Sequence, residues 1–148
     1  MSNPICPLCG GINTAHFHTD KKRDYHRCPT CYLVFVPEKF HLSEQAEKAE
    51  YDKHENALDD PGYLRFLNRL IEPLTHRLTL LSNDPNRLSG IDFGCGPGPA
   101  LATQLNRLGY STEVYDLFYA NKPEKLQQQY DFVTCTEVVE HFNQPKQD

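Results

Sequence analysis

One octapeptide limits the folds open to this chain more than any other stretch: Ile91-Asp92-Phe93-Gly94-Cys95-Gly96-Pro97-Gly98. An apolar run ends in an acid, and three glycines follow at alternate positions. Glycine tolerates positive φ and carries no Cβ, so the backbone can turn sharply there and lie against a ligand. The stretch behind it, Ala100 to Gly109, has the periodicity of a helix closed by a glycine. Strand, glycine loop and helix in this order predict the first crossover of a nucleotide-binding α/β sheet.

The spacing bears on which ligand the loop suits. A dinucleotide fingerprint places its third glycine three residues after the second, seating a pyrophosphate on the helix N-terminus. Pro99 stands at that place, and the third glycine comes one residue early, at Gly98. Asp92, beside the loop, would repel a pyrophosphate and suits a ligand with positive charge. S-adenosylmethionine has an ammonium and a sulfonium and no phosphate, and the pattern with Asp92 resembles motif I of the class I methyltransferases. Ser111 to Asp116 reads as a short strand ending in an acid 18 residues beyond Gly98, the usual offset for a carboxylate that accepts from ribose hydroxyls. Tyr130 to Phe142 reads as a strand running into a helix and is similar to motif IV of the same family, whose strand end faces the reacting methyl group. The resemblance covers residues 91–142. It implies S-adenosylmethionine-dependent methyl transfer, with cofactor-binding residues at Asp92, Gly94, Cys95, Gly96, Gly98, Asp116, Leu117 and Thr136. Cys95 reads as a small loop filler rather than a reactive thiol. The bland alternative for the loop is a glycine-rich turn with no ligand.

Six cysteines in 148 residues, with nothing resembling a secretory signal or a membrane span, point to a reducing cytoplasm. Metal ligation is then favoured over disulfides. Cys6-Pro7-Leu8-Cys9 and Cys28-Pro29-Thr30-Cys31 can each present two thiolates from one tight turn, and two such turns complete a tetrahedral Zn²⁺ site. With the hairpin strand expected over Tyr32 to Val36, entered through Tyr25-His26-Arg27, the segment resembles a zinc ribbon with a structural ion. His16, His18 and His26 lie nearby and read as surface or packing residues, since four cysteines already fill the site. The ribbon's task is either to staple its own fold or dock protein, or to contact nucleic acid through Lys21-Lys22-Arg23 at the hairpin tip. The net charge of −5 argues against a broad nucleic-acid surface, although residues 1–40 carry five Lys/Arg against three Asp/Glu.

These readings give an α/β chain in three parts. A zinc ribbon spans 1–40, a helical linker or lid spans 41–82, and the first half of a Rossmann-like parallel sheet spans 83–148, with the family's strands 1, 2 and 4 identifiable. In the linker, Ser43 caps a polar helix to residue 56 that puts Tyr51 and His54 on one face, able to line the pocket or simply to pack. Asp60-Pro61 opens a second helix with the stripe Tyr63, Leu64, Phe66, Leu67, Leu70 and Ile71, which Pro73 is expected to kink or interrupt.

Measured against the family, the chain stops after motif IV, and Asp116 to Tyr130 leaves no room for a further helix and strand. A truncated form of a longer protein is therefore expected, weak in cofactor binding and without turnover, with an exposed strand edge that promotes self-association. Glu137-Val138-Val139-Glu140-His141 would put Glu137, Glu140 and His141 on one helical face. Similar stretches in some O-methyltransferases bind a second divalent metal, which would imply a hydroxyl acceptor. His141 alone could be a general base, or the stretch could be structural. The acceptor, small molecule or RNA, stays open. Two other classes compete: a nicotinamide enzyme, disfavoured by Pro99 and Asp92, and a non-catalytic zinc-ribbon interaction protein with a degenerate nucleotide-binding half-domain.

Overall fold

The computed structural model describes residues 3–53 and 60–146. They fall into two compact units, one within residues 1–47 and 139–148, the other residues 48–138. His54 lies outside the described residues, so the pairing expected for it with Tyr51 does too.

The first unit is built on two turns of the same design. Cys6 O accepts from Gly10 N–H (2.9 Å) and Cys28 O from Tyr32 N–H (3.0 Å), while the N–H groups of Cys6 and Cys28 donate to Gly11 O and Leu33 O. Gly10 and Tyr32 close the turns at φ of 74° and 63°. A glycine takes that conformation freely and a tyrosine does so at a cost. Strands β1 (Ala15–Thr19), β2 (Asp24–Arg27) and β3 (Val34–Phe35) form an antiparallel sheet in that order. The expected pairing of Tyr25-His26-Arg27 with the strand after Tyr32 is present as β2–β3, and β1 is a strand that was not expected. The tight hairpin is β1–β2, and β3 adds to it as a third strand of two residues. Asp20 organises the basic tip by accepting from the N–H groups of Lys22 and Arg23 and from the Tyr25 hydroxyl. Among the described residues 3–47, only Cys6, Thr14, Cys28 and Pro37 are buried, so this unit has no buried aliphatic or aromatic core.

Helix α1 (Glu44–Tyr51) begins where Ser43 Oγ accepts from Ala46 N–H. In the second unit, Tyr51 packs on Phe118 with ring centroids 6.1 Å apart, and the Tyr119 hydroxyl donates to Asp52. Helix α2 (Pro61–Leu78) starts under the Asp60 carboxylate, which accepts from Gly62 and Tyr63 N–H. It runs through Pro73 without interruption, so of the kink or interruption expected there the interruption does not occur. Pro73 and Arg69, whose carbonyl loses the i+4 donor, both face solvent, so water can satisfy that group.

Leu67, Ile71 and Leu78 share the inner face of α2. They join Leu88, Ala100, Leu101, Leu105, Tyr110 and Phe132 in one apolar core. Strands β4 (Ser89–Phe93), β5 (Ser111–Tyr115) and β6 (Phe132–Thr134) form a parallel sheet in the order β5-β4-β6, with α3 (Ala100–Arg107) connecting β4 to β5. Gly90 is directly opposite Phe132, and a Cβ on Gly90 would lie 2.1 Å from that ring, so the glycine makes room for it. Gly109, at φ 95°, closes α3 as expected, and the Asn106 amide ties the helix to Thr112 at the start of β5. Beyond β6 the expected helix does not form. Glu137 takes a left-handed φ of 57°, which a right-handed helix cannot continue through, and among the described residues only the single 3₁₀ turn Val139–His141 follows. No helix among the described residues is long and apolar enough to cross a membrane.

Candidate functional site

The chain leaves β4 through α3 to reach β5 on one side, then returns to β6 on the other. Ligands of open α/β sheets bind where strand order reverses in this way, beyond the carboxyl ends of the strands. Asp92 on β4 and Thr134 on β6 are register partners at that end, and the Thr134 hydroxyl donates to Asp92 Oδ1 at 2.7 Å. Asp92 is 4% exposed. Burial pushes its carboxyl up to about 6; the Thr134 hydrogen bond opposes that shift and the charge of Asp116 adds to it.

The glycine loop is tied down by the end of β5. Gly94 and Cys95 N–H donate to Tyr115 O at 2.8 and 3.3 Å, and Gly96 N–H donates to Asp116 Oδ2 at 2.9 Å. Asp116 Oδ1 accepts from Phe118 and Tyr119 N–H at 2.8 and 3.1 Å. Three consecutive amide donors are thus committed inside the protein, whereas a phosphate cradle needs such groups aimed at the ligand. Gly94 and Gly96 both have positive φ, but they serve different ends. A Cβ on Gly94 would lie 2.4 Å from Val138 Cγ2, while a Cβ on Gly96 would meet nothing within 4 Å. Gly94 makes internal packing possible; Gly96 borders open space.

A small cavity opens beside Asp92. Tyr63 and Leu67 of α2 face Ala100 and Leu101 of α3 across it, and Gly94, Cys95 and Thr136 complete the lining. None of the lining residues is Lys or Arg. Thr136 Oγ1 is buried there with no hydrogen-bond partner among the described residues. Such an unmet group costs about 1–3 kcal/mol unless a ligand supplies the partner. The Tyr63 phenol is held above its usual value by burial, then by the charges of Asp92 and Glu137, and so keeps its proton at neutral pH. The Cys95 thiol is pushed up to about 12 by burial and by Asp116 and Asp92, which leaves it protonated and inert, as the loop-filler reading expects.

Asp92, Gly94, Cys95 and Thr136 therefore share one cavity, and Gly96 and Asp116 are joined to each other by a hydrogen bond. Gly98 offers its carbonyl to Ala100 N–H at 2.7 Å, and Leu117 is 56% exposed. Tyr63, Leu67 and Thr134 were missed in the sequence. The first two sat within an apolar helical stripe that reads as core, and nothing in a three-residue strand marks one hydroxyl as an aspartate's partner. The helical face expected to gather Glu137, Glu140 and His141 is absent, because Glu137 is left-handed and the 3₁₀ turn begins only at Val139.

The second site is the cysteine cluster. The Sγ atoms of Cys6, Cys9, Cys28 and Cys31 all lie within 4.8 Å of one another, the only such metal-ligating group among the described residues. Cys6–Cys31 and Cys9–Cys28 are each 3.5 Å apart, and none of the six cysteines forms a disulfide. A tetrahedral ion with Zn–S bonds of about 2.3 Å spaces its sulfurs about 3.8 Å apart, which fits this cluster. The Cys31 and Thr30 N–H groups bond the Cys28 sulfur and hold that thiol down at about 6. Cys31 behaves oppositely: although the Leu33 N–H bonds its sulfur, burial and the sulfurs of Cys6, Cys9 and Cys28 push it up to about 12. A divalent cation that takes all four as thiolates removes this conflict. A Cβ on Gly11 would lie 3.2 Å from Cys28 Sγ and 3.4 Å from Cys9 Sγ, so a bare backbone is what lets the chain run past the sulfurs.

A family model described as "Methyltransferase domain" matches residues 63–147, more than half of the chain. No curated protein and no solved structure matches it.

Proposed function

The chain belongs to the methyltransferase-domain family, and from that membership we propose that it uses S-adenosylmethionine to methylate an acceptor, on a Rossmann-like sheet beside a zinc ribbon. The observation that carries this reading is the hydrogen-bonding character of the loop. Its amide donors are committed to Tyr115 and Asp116, while the buried Asp92 carboxylate lines the cavity. A site with a buried carboxylate, no Lys or Arg in its lining and its loop amides already committed suits an ammonium and a sulfonium and opposes a pyrophosphate.

When bound, the cofactor supplies a methyl group already attached to a good leaving group. Asp92 takes the ammonium, an opposite charge that draws its raised carboxyl back to the ionised form. The open space at Gly96 admits the ligand against the backbone. Asp116 ties the loop, through Gly96 N–H, to the turn after β5, through Phe118 and Tyr119 N–H, and its remaining acceptor position turns to a ribose hydroxyl. The residues around Asp92 would position the methyl donor for an acceptor, and positioning is the larger part of what a protein adds to such a displacement. The four cysteines hold Zn²⁺ in a structural role, in place of the apolar core their unit lacks. Thiolate ligation of this kind belongs in a reducing compartment such as the cytoplasm.

Titration calorimetry of the full chain with S-adenosylmethionine, S-adenosylhomocysteine and NAD tests the reading. Both adenosyl ligands are expected to bind and NAD is not. Affinity for S-adenosylmethionine should fall up to about tenfold per pH unit below about 6, because binding must then displace the Asp92 proton. Binding of NAD alone would overturn the proposal. Elemental analysis should find about one zinc per chain.

A further inference from the structure

The two cysteine turns share one backbone design and differ where each closes. Gly10 ends the first at φ 74°, and the equivalent residue of the second is Tyr32 at φ 63°. Glycine takes that conformation without strain and tyrosine does not, so the turn itself does not call for the ring. Burial does not call for it either, since Tyr32 is 67% exposed.

The ring belongs to one face of the ribbon. Tyr25 and Arg27 are two apart on β2 and share a side of the sheet, joined there by their register partners His18 and Val34. The Arg27 guanidinium stands 5.3 Å from the Tyr32 ring centroid, and that of Arg23 stands 5.8 Å from the Tyr25 centroid. Tyr25 is held by its hydroxyl bond to Asp20 (2.7 Å), with the His18 ring 6.0 Å away. Asp24 is on the other side of the sheet, where it accepts from Thr19 and pairs with Lys39. The acid at the near end is Asp20, already engaged by Arg23, Tyr25 and the N–H of Lys22. Arg27, Lys21 and Lys22 pair with no carboxylate among the described residues.

We propose that this face of the ribbon docks single-stranded RNA, with bases stacked on Tyr32 and Tyr25 and phosphates met by Arg27, Lys21 and Lys22. Exposed rings alternating with cations are what an unpaired strand needs: every base has a flat face to stack, and every phosphate a charge to neutralise. A guanidinium lying on a ring extends the flat surface, so each Arg–Tyr pair is a platform assembled before the strand arrives. Unpaired bases are the ordinary state of RNA loops, bulges and ends, which selects RNA over DNA as the occupant. The patch is local, about two or three nucleotides wide, on a chain whose net charge of −5 opposes a broad one. No residue of the Asp92 cavity takes part, so failure of S-adenosylmethionine to bind leaves it standing.

Fluorescence anisotropy on the full chain tests it, with a labelled unstructured RNA roughly ten nucleotides long, its duplex, single-stranded DNA of the same sequence and polyglutamate as competitors. The RNA should bind more tightly than the duplex and polyglutamate, and no less tightly than the DNA. Tyr32→Gly should weaken RNA binding roughly five- to hundredfold while its thermal melt stays at or above that of the wild type, because glycine relieves the left-handed turn. Tyr32→Phe should bind as the wild type does. Arg27→Gln should lower the slope of log affinity against log salt by about 0.7. Unchanged affinity in Tyr32→Gly overturns the proposal, as does RNA bound no better than the duplex or polyglutamate, or less well than the DNA. A Tyr32→Gly chain that melts well below the wild type would make the ring structural and overturns it too.

Discussion

Asp92 should make the cofactor-free protein less stable at neutral pH than it is in mild acid, and replacing it should remove that burden. Its carboxyl is raised from 3.8 to about 6, chiefly by burial, so the folded state binds a proton more tightly than the unfolded chain does. A raised acid of this kind contributes nothing unfavourable below the unfolded value and destabilises increasingly as pH rises through the folded one. At about 1.36 kcal/mol per pKa unit, the full effect is about 3 kcal/mol, reached by roughly pH 7. Asp92→Asn keeps an oxygen that can accept from Thr134 and cannot ionise. Urea unfolding without cofactor, followed by circular dichroism, is the assay. The variant should match the wild type near pH 4 and exceed it by about 3 kcal/mol near pH 7; with a slope of about 1–2 kcal/mol per molar urea, the midpoint would move by roughly 1.5–3 M. Asp20, held down at about 2 by the Lys22 N–H, the Tyr25 hydroxyl and the Arg23 N–H, acts in the opposite sense: its stabilisation is present above the unfolded value and lost in acid. Asp20 is common to both proteins, so the difference between them isolates Asp92. A difference that does not vary with pH, or a variant less stable than the wild type at pH 7, would refute the reasoning.

Four further outcomes follow from named positions. Gly94→Ala should destabilise the parallel-sheet unit by about 2 kcal/mol or more in urea melts, because its Cβ meets Val138 at 2.4 Å and its φ is 74°. Gly96→Ala meets nothing in the free protein and should cost only about 1 kcal/mol of backbone strain, while calorimetry records a marked loss of S-adenosylmethionine affinity. Gly90→Ala drives a methyl into the Phe132 ring at 2.1 Å and should lower stability by about 2–3 kcal/mol, with Phe132→Leu in the same chain recovering part of the loss. Cys28→Ser or a strong chelator should release zinc, read with a chromogenic indicator, and unfold residues 3–47, read as loss of amide protection there, since no apolar core remains to hold them.

What the sequence revealed and what it hid divide along physical lines. Glycine spacing, strand-end acids and paired C-x2-C turns are local constraints, written within a few residues, and the glycine loop between β4 and α3 and the cysteine cluster follow from them. Contacts set by tertiary packing leave no such mark. Tyr63 belongs to a stripe that reads as core, of which Leu67 and Ile71 are buried, and only the fold places it in the lining of the Asp92 cavity. The interruption allowed for at Pro73 does not occur, and propensity carries no information on whether the orphaned carbonyl faces water. The motif IV helix failed for a related reason. Glu137 has good helix propensity, yet the structure holds it left-handed beside a cavity, a conflict between local preference and global fold that tends to mark functional positions.

Asp92 and Asp116 show how two residues of equal standing in the sequence come to do different work. Each is an acid at or near the end of a parallel strand, and a motif assigns both to the ligand. The structure gives Asp116 three backbone N–H bonds that link the glycine loop to the turn after β5, so most of its acceptor capacity is structural before any ligand arrives. Asp92 receives one hydroxyl bond and sits 4% exposed, so its charge is poorly compensated and its carboxyl rises to about 6. A group in that state gains more from an incoming cation than a satisfied one does, because the ligand replaces a missing partner instead of competing with three present ones. The energy that Asp92 costs the free protein is the energy an ammonium can recover. Removing Asp116 should therefore loosen the loop and weaken every ligand alike, whereas removing Asp92 should stabilise the free protein and weaken only ligands that carry the ammonium.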